Sequence, residues 1–235
     1  MTTERRLILA SASPRRQEAL KALGVEHQIV VSHAEDSLPP QPDPTDPLPV
    51  ARAKFADVLK QHPDALVLAG DTIVVVGGVA LGKPGTPENA AAMLHMLRGR
   101  QHAVHTAMTV GTKEGAIDSR VFAPLCMRDY ADEEVDTYVA TGEPLDCAGA
   151  YDIHRLGGQL IASVEGCFSA IVGLPVAETA LLLEWAGVSV PRDATEVCGK
   201  LYGRTCLAAS PLTRTRCLPE RLGVGAEQWR VLRAG

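Results

Sequence analysis

Short apolar runs alternate with amphipathic segments along most of this chain. Leu7–Ala10 and Ala65–Gly70 are continuous apolar runs of strand length, which predicts two buried strands. Apolar side chains recur every three or four residues in the segments that start at Pro14, Val50 and Thr86, and this spacing predicts helices. Such alternation is typical of an α/β protein in which helices cover a sheet.

Two reversals of the chain make the predicted sheet mixed rather than purely parallel. Gly77-Gly78 is a two-residue hairpin signal between an apolar strand and its return strand. Two long strands, about 102–113 and 117–128, are joined by the turn-like Glu114-Gly115. We therefore predict a mixed β-sheet flanked by helices. Further elements are predicted as strands at 27–32 and 159–165, a helix from Asp132, and a final apolar helix that ends at Gly187.

The regular pattern fails from about Arg192. Beyond that point the sequence has scattered cysteines and short apolar stubs, with no sustained period. This segment carries eight Arg or Lys and four Asp or Glu, although the net charge of the chain is −5. We predict a folded domain over residues 1–191 and a C-terminal extension over 192–235 that is poorly ordered or weakly docked.

Composition narrows the class of protein. A chain of 235 residues that is 46% hydrophobic and 22% charged is ordinary globular material. It has no apolar run of roughly 18 residues and no signal-peptide pattern, so we expect a cytoplasmic protein without a membrane partner. Its acidic body argues against nucleic acid as the main ligand. The six cysteines include no CxxC pair, which favours reduced thiols over a structural metal site.

Two arginines follow the predicted start of the first helix. Ser13 stands at the cap position, Pro14 at the first helical position, and Arg15 and Arg16 in the first turn. A helix start already attracts anions, so two positive charges there indicate a bound anion such as phosphate. The alternative is a pair of solvated surface arginines.

A second candidate centre is Asp71, which interrupts an apolar stretch. A carboxylate in such surroundings is costly unless it is paired or holds a cation, so Asp71 belongs either to a site or to a structural hydrogen bond. The hairpin register brings Lys83 towards the same rim. Lys54 lies on a predicted helix as either a solvated side chain or a phosphate ligand, and Glu35 follows a predicted strand end.

Taken together, these segments resemble the Maf family of nucleotide pyrophosphatases from about Leu7 to Pro191. The resemblance implies an elongated α/β fold of the Maf and ITPase type with a cleft between two lobes, usually dimeric. It also implies metal-dependent hydrolysis of a nucleoside triphosphate to the monophosphate and pyrophosphate, as house-cleaning of nucleotides. The matching blocks are Leu9–Arg16, Ala51–Lys54, Gly70–Val74, Gly82–Pro84, Gly149–Tyr151 and Val172–Pro175.

The resemblance assigns roles to the candidate residues. Asp71 matches the catalytic acidic residue of the family, which activates water directly or through a divalent cation, Mg²⁺ or Mn²⁺, and Glu35 is expected to share that metal. The triphosphate would be held by cationic and hydroxyl side chains from several segments, namely Ser11, Arg15, Arg16, Lys54 and Lys83.

Base preference depends on a smaller set of positions. The blocks around Arg16, Thr72 and Tyr151 are similar to the family branch that acts on dTTP and UTP. That branch usually has Gln-Gly where this chain has His154 and Arg155, so His154 is expected to influence which base is accepted. The sequence leaves two alternative functions open. One is a non-catalytic nucleotide-binding regulator of cell division, and the other is a nucleotidyl transferase.

Overall fold

The computed structural model describes residues 5–204. The strands are β1 (Leu7–Ala10), β2 (Gln28–Ile29), β3 (Leu66–Val76), β4 (Val79–Leu81), β5 (Gln101–Thr112), β6 (Gly115–Met127) and β7 (Ile161–Val164). The α-helices are α1 (Pro14–Ala22), α2 (Leu48–Gln61), α3 (Pro87–Leu97), α4 (Asp132–Ala140), α5 (Phe168–Val172), α6 (Val176–Trp185) and α7 (Ala194–Tyr202). None of these helices is both long and apolar enough to cross a bilayer.

All seven strands belong to one mixed sheet. Its order is β2-β1-β3-β5-β6-β7, and β4 pairs with the far end of β3. β1 runs parallel to β2 and β3, whereas the other pairs are antiparallel. Both predicted hairpins are confirmed, although the turn of the second lies at Lys113-Glu114, one residue before the predicted Glu114-Gly115, because Gly115 already pairs with Thr112. The predicted α/β class, with a mixed sheet flanked by helices, is therefore correct.

A stretch of β3 lacks a strand neighbour on one side. Leu66–Ala69 pair with β1, and pairing with β4 begins only at Val74. Between them, Gly70–Ile73 pair with β5 on the other side of the strand. These four residues are called the open segment of β3 below. They lie where β1 has ended and β4 has not begun, which leaves room for the loop that enters α1.

The two faces of β3 carry different side chains. Val67 and Ala69 pack in a cluster with Phe55 of α2. Leu66 and Leu68 pack on the opposite face, with residues of α1 and α6. Because side chains alternate along a strand, Asp71 continues the α2 face and Thr72 continues the α1 face. Both faces are covered, which explains why the sequence of this strand is almost uninterruptedly apolar.

One predicted strand differs in extent. β2 forms only at Gln28–Ile29 instead of 27–32, because it has β1 as a partner over just two residues. The predicted final helix is α6, and a separate short helix, α5, precedes it. Gly173, whose φ is +118°, ends α5, and Pro175 takes the N-cap position of α6. A left-handed residue and a proline together keep the two helices apart.

The first part of the predicted C-terminal extension forms α7. The Asp193 side chain caps it by accepting from the backbone N–H groups of Thr195 and Glu196. Val197 and Cys198 are buried in the apolar cluster that includes α1 and α6. For residues 194–202 the structure thus differs from the predicted weakly docked extension, because a few buried side chains suffice to fix a capped helix. Residues 205–235 lie outside the described part of the chain.

Candidate active site

Ser11 is the first residue after β1, on the loop that leads into α1. Its Oγ accepts hydrogen bonds from the backbone N–H of Ser13, at 3.2 Å, and from Arg16 Nη1, at 3.1 Å. Ser13 stands at the N-cap position, as predicted, but its side chain makes no capping hydrogen bond. The first turn of α1 contains no acidic side chain, so its positive end remains available to an anion.

Arg16 points inwards and joins three parts of the chain. Its Nε donates to the carbonyl of Gly173 at 2.9 Å, while Nη1 and Nη2 donate to Ser11 and Thr72. Gly70 and Gly173 have no side chain on the side that faces the guanidinium of Arg16, so the backbone at both residues can lie close to it. Burial lowers the pKa of Arg16, and the Asp71 carboxylate acts against that shift. Arg16 therefore fixes the geometry beneath the site.

A chain of hydroxyl groups continues from Arg16 across the sheet. Thr72 Oγ1 lies 3.0 Å from Thr106 Oγ1, and Thr106 donates to the carbonyl of Ala170 at 2.8 Å. Since the Thr106 hydrogen is used at Ala170, Thr106 accepts from Thr72, and Thr72 accepts from Arg16. Thr72 is thus an internal polar link in this structure. Thr106 was not identified from the sequence, where it is one polar residue in a long strand.

Lys54 lies between two carboxylates. Its Nζ is 2.9 Å from Asp71 Oδ1 and 2.6 Å from Glu35 Oε2. Lys54 and Asp71 are 12% and 13% exposed, whereas Glu35 is 57% exposed. The structure therefore places these three candidate residues together, on the face of β3 that α2 covers. Lys54 is therefore a largely covered partner of Asp71. Its position on the helix alone would equally have allowed a solvated side chain.

The environment of Asp71 works in two directions on its ionisation. Burial raises the pKa of the Asp71 carboxyl, and the charges of Lys54 and Arg16 counteract the rise. The neighbouring Glu35 carboxylate adds to the rise. A carboxylate kept ionised in a partly desolvated place by a cation is well suited to accept a proton.

Arg15 points the other way from Arg16, towards the segment that follows the Gly149–Tyr151 block. Its Nη1 donates to Asp152 Oδ2 at 2.9 Å and lies 3.7 Å from Cys147 Sγ. Asp152 is buried, whereas a third of the Arg15 side chain is exposed. Sequence reasoning missed Asp152, although it directly follows the Gly-Ala-Tyr block that carries the family resemblance.

Close packing holds this segment under β3. Gly149 has a φ of +69°, and a side chain there would come within 2.7 Å of Val74. Its backbone N–H donates to the carbonyl of Gly82 at 3.0 Å. Glycine is required at this position both for its backbone conformation and for its contact with β3. The contact also brings the segment next to Lys83.

Lys83 and His154 make contacts away from Asp71. Lys83 Nζ lies 2.6 Å from Asp146 Oδ1, and both side chains are exposed. His154 Nε2 lies 3.1 Å from the carbonyl oxygen of Leu201 in α7, and its ring meets Tyr202 edge-on. In the described structure, then, these two predicted ligands border the segment that holds Arg15. They do not join the group around Lys54.

The donor set at Asp71 suits a hard divalent cation. Asp71 and Glu35 direct carboxylate oxygens at the same ammonium group, so both already face one positive charge. Mg²⁺ is usually held by one or two carboxylates together with substrate phosphates. Within residues 5–204 there is no cluster of three or more His, Cys, Asp or Glu side chains that could hold a metal by themselves. The residues therefore fit a metal that the substrate helps to bind.

Comparison with known proteins gives consistent results. Residues 6–186 match the profile of the Maf family, described as Maf-like protein. A dTTP/UTP pyrophosphatase of Anaeromyxobacter dehalogenans (strain 2CP-1) is 44% identical over 191 residues, which cover 79% of this chain and 96% of the relative. A dTTP/UTP pyrophosphatase of Escherichia coli O6:K15:H31 is 43% identical over 179 residues, covering 75% and 91%.

Among solved structures, the Ham1 protein of Staphylococcus aureus aligns with a TM-score of 0.40 and 13% identity, over 53% of this chain and 73% of that one. The family match is far more extensive, because it runs from β1 to the end of α6. With that coverage, and with relatives that share more than two fifths of their aligned residues, the chain belongs to the Maf-like protein family.

Proposed function

We propose that this protein hydrolyses dTTP, UTP or related modified nucleotides to the nucleoside monophosphate and pyrophosphate, in a house-cleaning role. The relatives named dTTP/UTP pyrophosphatase support this substrate class. The observation that carries the proposal is the group of Asp71, Lys54 and Glu35 beside the start of α1. It sets a carboxylate base and cationic charge next to a helix terminus that favours phosphate.

In the proposed reaction, Asp71 orients a water molecule and accepts its proton as the water oxygen attacks the α-phosphorus. The bond between the α-phosphorus and the bridging oxygen breaks, and pyrophosphate leaves with its electron pair. Lys54 keeps Asp71 ionised before attack and is close enough to stabilise phosphate charge afterwards. Ser11, Arg15 and Lys83 are the proposed contacts of the triphosphate, together with the N-terminal amides of α1.

A divalent cation is part of this proposal. Asp71 and Glu35 would hold Mg²⁺ or Mn²⁺ with the phosphates of the substrate, and the metal would supply positive charge for the phosphoryl oxygens. Lys54 lies between the same carboxylates and would stay beside Asp71, so space for the metal would come from a rearrangement of the second carboxylate. Glu35, the most exposed of the three side chains, has the freedom to rearrange.

For base selection we propose Arg16, Thr72 and His154 as determinants. Arg16 and Thr72 would act from beneath, because both side chains are committed to hydrogen bonds inside the protein. His154 is exposed and is the residue that departs from the Gln-Gly of the dTTP/UTP branch. We also expect a homodimer in the cytoplasm, with neither nucleic acid nor a membrane among its partners. These expectations remain predictions from the sequence.

The test is to incubate the purified chain with Mg²⁺ or Mn²⁺ and a panel of canonical and modified nucleotides, measuring monophosphate and pyrophosphate. Asp71→Asn should reduce kcat by about a thousandfold, within the range that a positioned proton acceptor contributes. The matched control is Asp64→Asn, which replaces a surface carboxylate paired with Lys113 and should leave kcat unchanged.

Two outcomes would replace the proposal. Tight nucleotide binding by calorimetry without turnover under any metal would favour the non-catalytic regulator. Transfer of the monophosphate to an acceptor other than water would favour a nucleotidyl transferase. Turnover that Asp71→Asn leaves intact would remove Asp71 from the mechanism.

A further inference from the structure

A series of contacts leads from the C-terminal end of α7 to the guanidinium of Arg15. The carbonyl oxygen of Leu201 lies 3.1 Å from His154 Nε2. The backbone N–H of His154 donates to Asp152 Oδ1 at 3.0 Å, and Asp152 Oδ2 accepts from Arg15 Nη1 at 2.9 Å. A carbonyl oxygen can only accept, so His154 Nε2 is the donor of this hydrogen bond to Leu201.

The end of α7 is itself fixed by aromatic packing. The Tyr202 ring meets the His154 ring edge-on, with centroids 5.3 Å apart, and lies 5.4 Å from the ring of Phe168. The guanidinium of Arg204 lies over the Phe168 ring, 5.3 Å from its centroid. Burial raises the pKa of Tyr202, consistent with a phenol enclosed by this cluster. Leu201 is thus presented to His154 from a well-packed helix end.

The helix that contacts His154 lies beyond the part of the chain that the family profile matches. The profile ends at residue 186, and α7 begins at Ala194. The contact therefore joins a helix outside the matched region to the segment that holds Arg15.

We propose that α7 is a positioning element of the active site, which orients Arg15 for the triphosphate through His154 and Asp152. This inference rests on the proposed function, because it assigns Arg15 to the triphosphate. Asp152 has a second support, since its backbone N–H donates to the hydroxyl of Tyr138 at 3.0 Å. Loss of the α7 contact therefore changes the orientation of the Asp152 carboxylate while the segment keeps its place in the fold.

The experiment uses point variants in the full chain. His154→Phe keeps a ring against Tyr202 and removes the donor to Leu201, whereas His154→Gln keeps a side-chain N–H donor. For UTP or dTTP, His154→Phe should raise KM about tenfold with a smaller change in kcat, the size expected within one hydrogen-bond network. His154→Gln should restore KM to within about threefold of the original. The control is Lys200→Gln, which changes an exposed side chain of α7 and should leave KM and kcat unchanged.

A double-mutant cycle with Arg15→Ala separates positioning from general damage. In the Arg15→Ala background, His154→Phe should change KM by no more than about twofold, because the group it positions is gone. Fully additive effects, or a Phe variant with unchanged KM, would overturn the proposal. The same four proteins are then compared by their Kd for the non-hydrolysable α,β-imido analogue of UTP. If the original chain binds the analogue yet hydrolyses no nucleotide, the proposed function fails, and the cycle in Kd still decides whether α7 positions Arg15.

Discussion

The side chains around Asp71 and those around Arg15 are held in contrasting ways. The Asp71 cluster consists of Asp71 on β3, Lys54 on α2 and Glu35 in the loop that follows β2. α2 packs directly against β3, so two of these three side chains stand on elements at the centre of the fold. The Arg15 cluster, Arg15, Asp152 and His154, depends on an irregular segment, called the rim below, and on α7. In the proposed function, the chemical step therefore lies on two packed elements and the rim holds the substrate.

After the loss of Asp71 itself, removing the Lys54 ammonium group should have the largest effect on kcat. Lys54→Met takes away the charge that opposes the burial-driven rise in the pKa of Asp71, so that this pKa rises further. Because the proposed base must be ionised, the acid limb of the kcat profile should move to higher pH, and kcat at neutral pH should fall about a hundredfold. Lys60→Met, exposed on the same helix, should keep the original profile. A profile that loses amplitude without moving would contradict the coupling.

Arg16 tests whether the centre is as rigid as its contacts indicate. A lysine has one nitrogen and cannot replace three guanidinium nitrogens that bind Gly173, Ser11 and Thr72. Arg16→Lys should lower the free energy of unfolding by about 2–3 kcal/mol, because buried acceptors lose their donor. Urea unfolding measures this. Arg52→Lys, at an exposed pair with Asp118, should cost far less, and equal losses for the two variants would refute the difference.

At the rim, Asp152→Asn should act on binding rather than on chemistry. The change removes the charge that holds Arg15, which is partly exposed. We expect KM for the triphosphate to rise about tenfold with kcat nearly unchanged, as for a partly screened charge pair. Steady-state kinetics provides the measurement, with Asp136→Asn, at an exposed carboxylate on α4, as the control. A loss confined to kcat would move Asp152 into the chemical step.

The smallest effect is expected at Lys83. Its side chain is 64% exposed and pairs with Asp146, which is 86% exposed. Lys83→Ala should therefore raise KM by only about two- to threefold, and the difference should shrink at high salt because exposed charges are screened. A hundredfold loss that persists in high salt would place Lys83 in the Asp71 cluster.

The sequence pattern was informative where local chemistry is unusual. Asp71 stands out because a carboxylate within an apolar strand demands a partner, and Gly77-Gly78 determines a hairpin by backbone freedom alone. The open segment of β3 follows from these two features and the parallel pairing with β1. The α/β class could be predicted from the alternation of apolar runs with amphipathic segments, and the mixed sheet from the two hairpin signals.

The remaining features depend on tertiary contacts that no local pattern encodes. Nothing in the order Arg15-Arg16 says that one side chain faces Asp152 and its neighbour Gly173, 21 residues further along the chain. Lys54 has the spacing of a solvated helix residue and is largely covered because Asp71 lies opposite. α7 is the exception, since its apolar side chains at 194, 197, 198, 201 and 202 have helical spacing; the tertiary contribution is the surface of α1 and α6 that covers them.

The alternation along the open segment of β3 restricts how this gene can change in length. Asp71 and Thr72 serve opposite faces of the sheet, one towards Lys54 and the other towards Arg16. A one-residue insertion or deletion inside β3 would exchange the two faces and disconnect both networks at once. A two-residue change keeps the faces but displaces one partner by about 6.6 Å along the strand. β3 therefore tolerates a change of residue type more readily than any change of length.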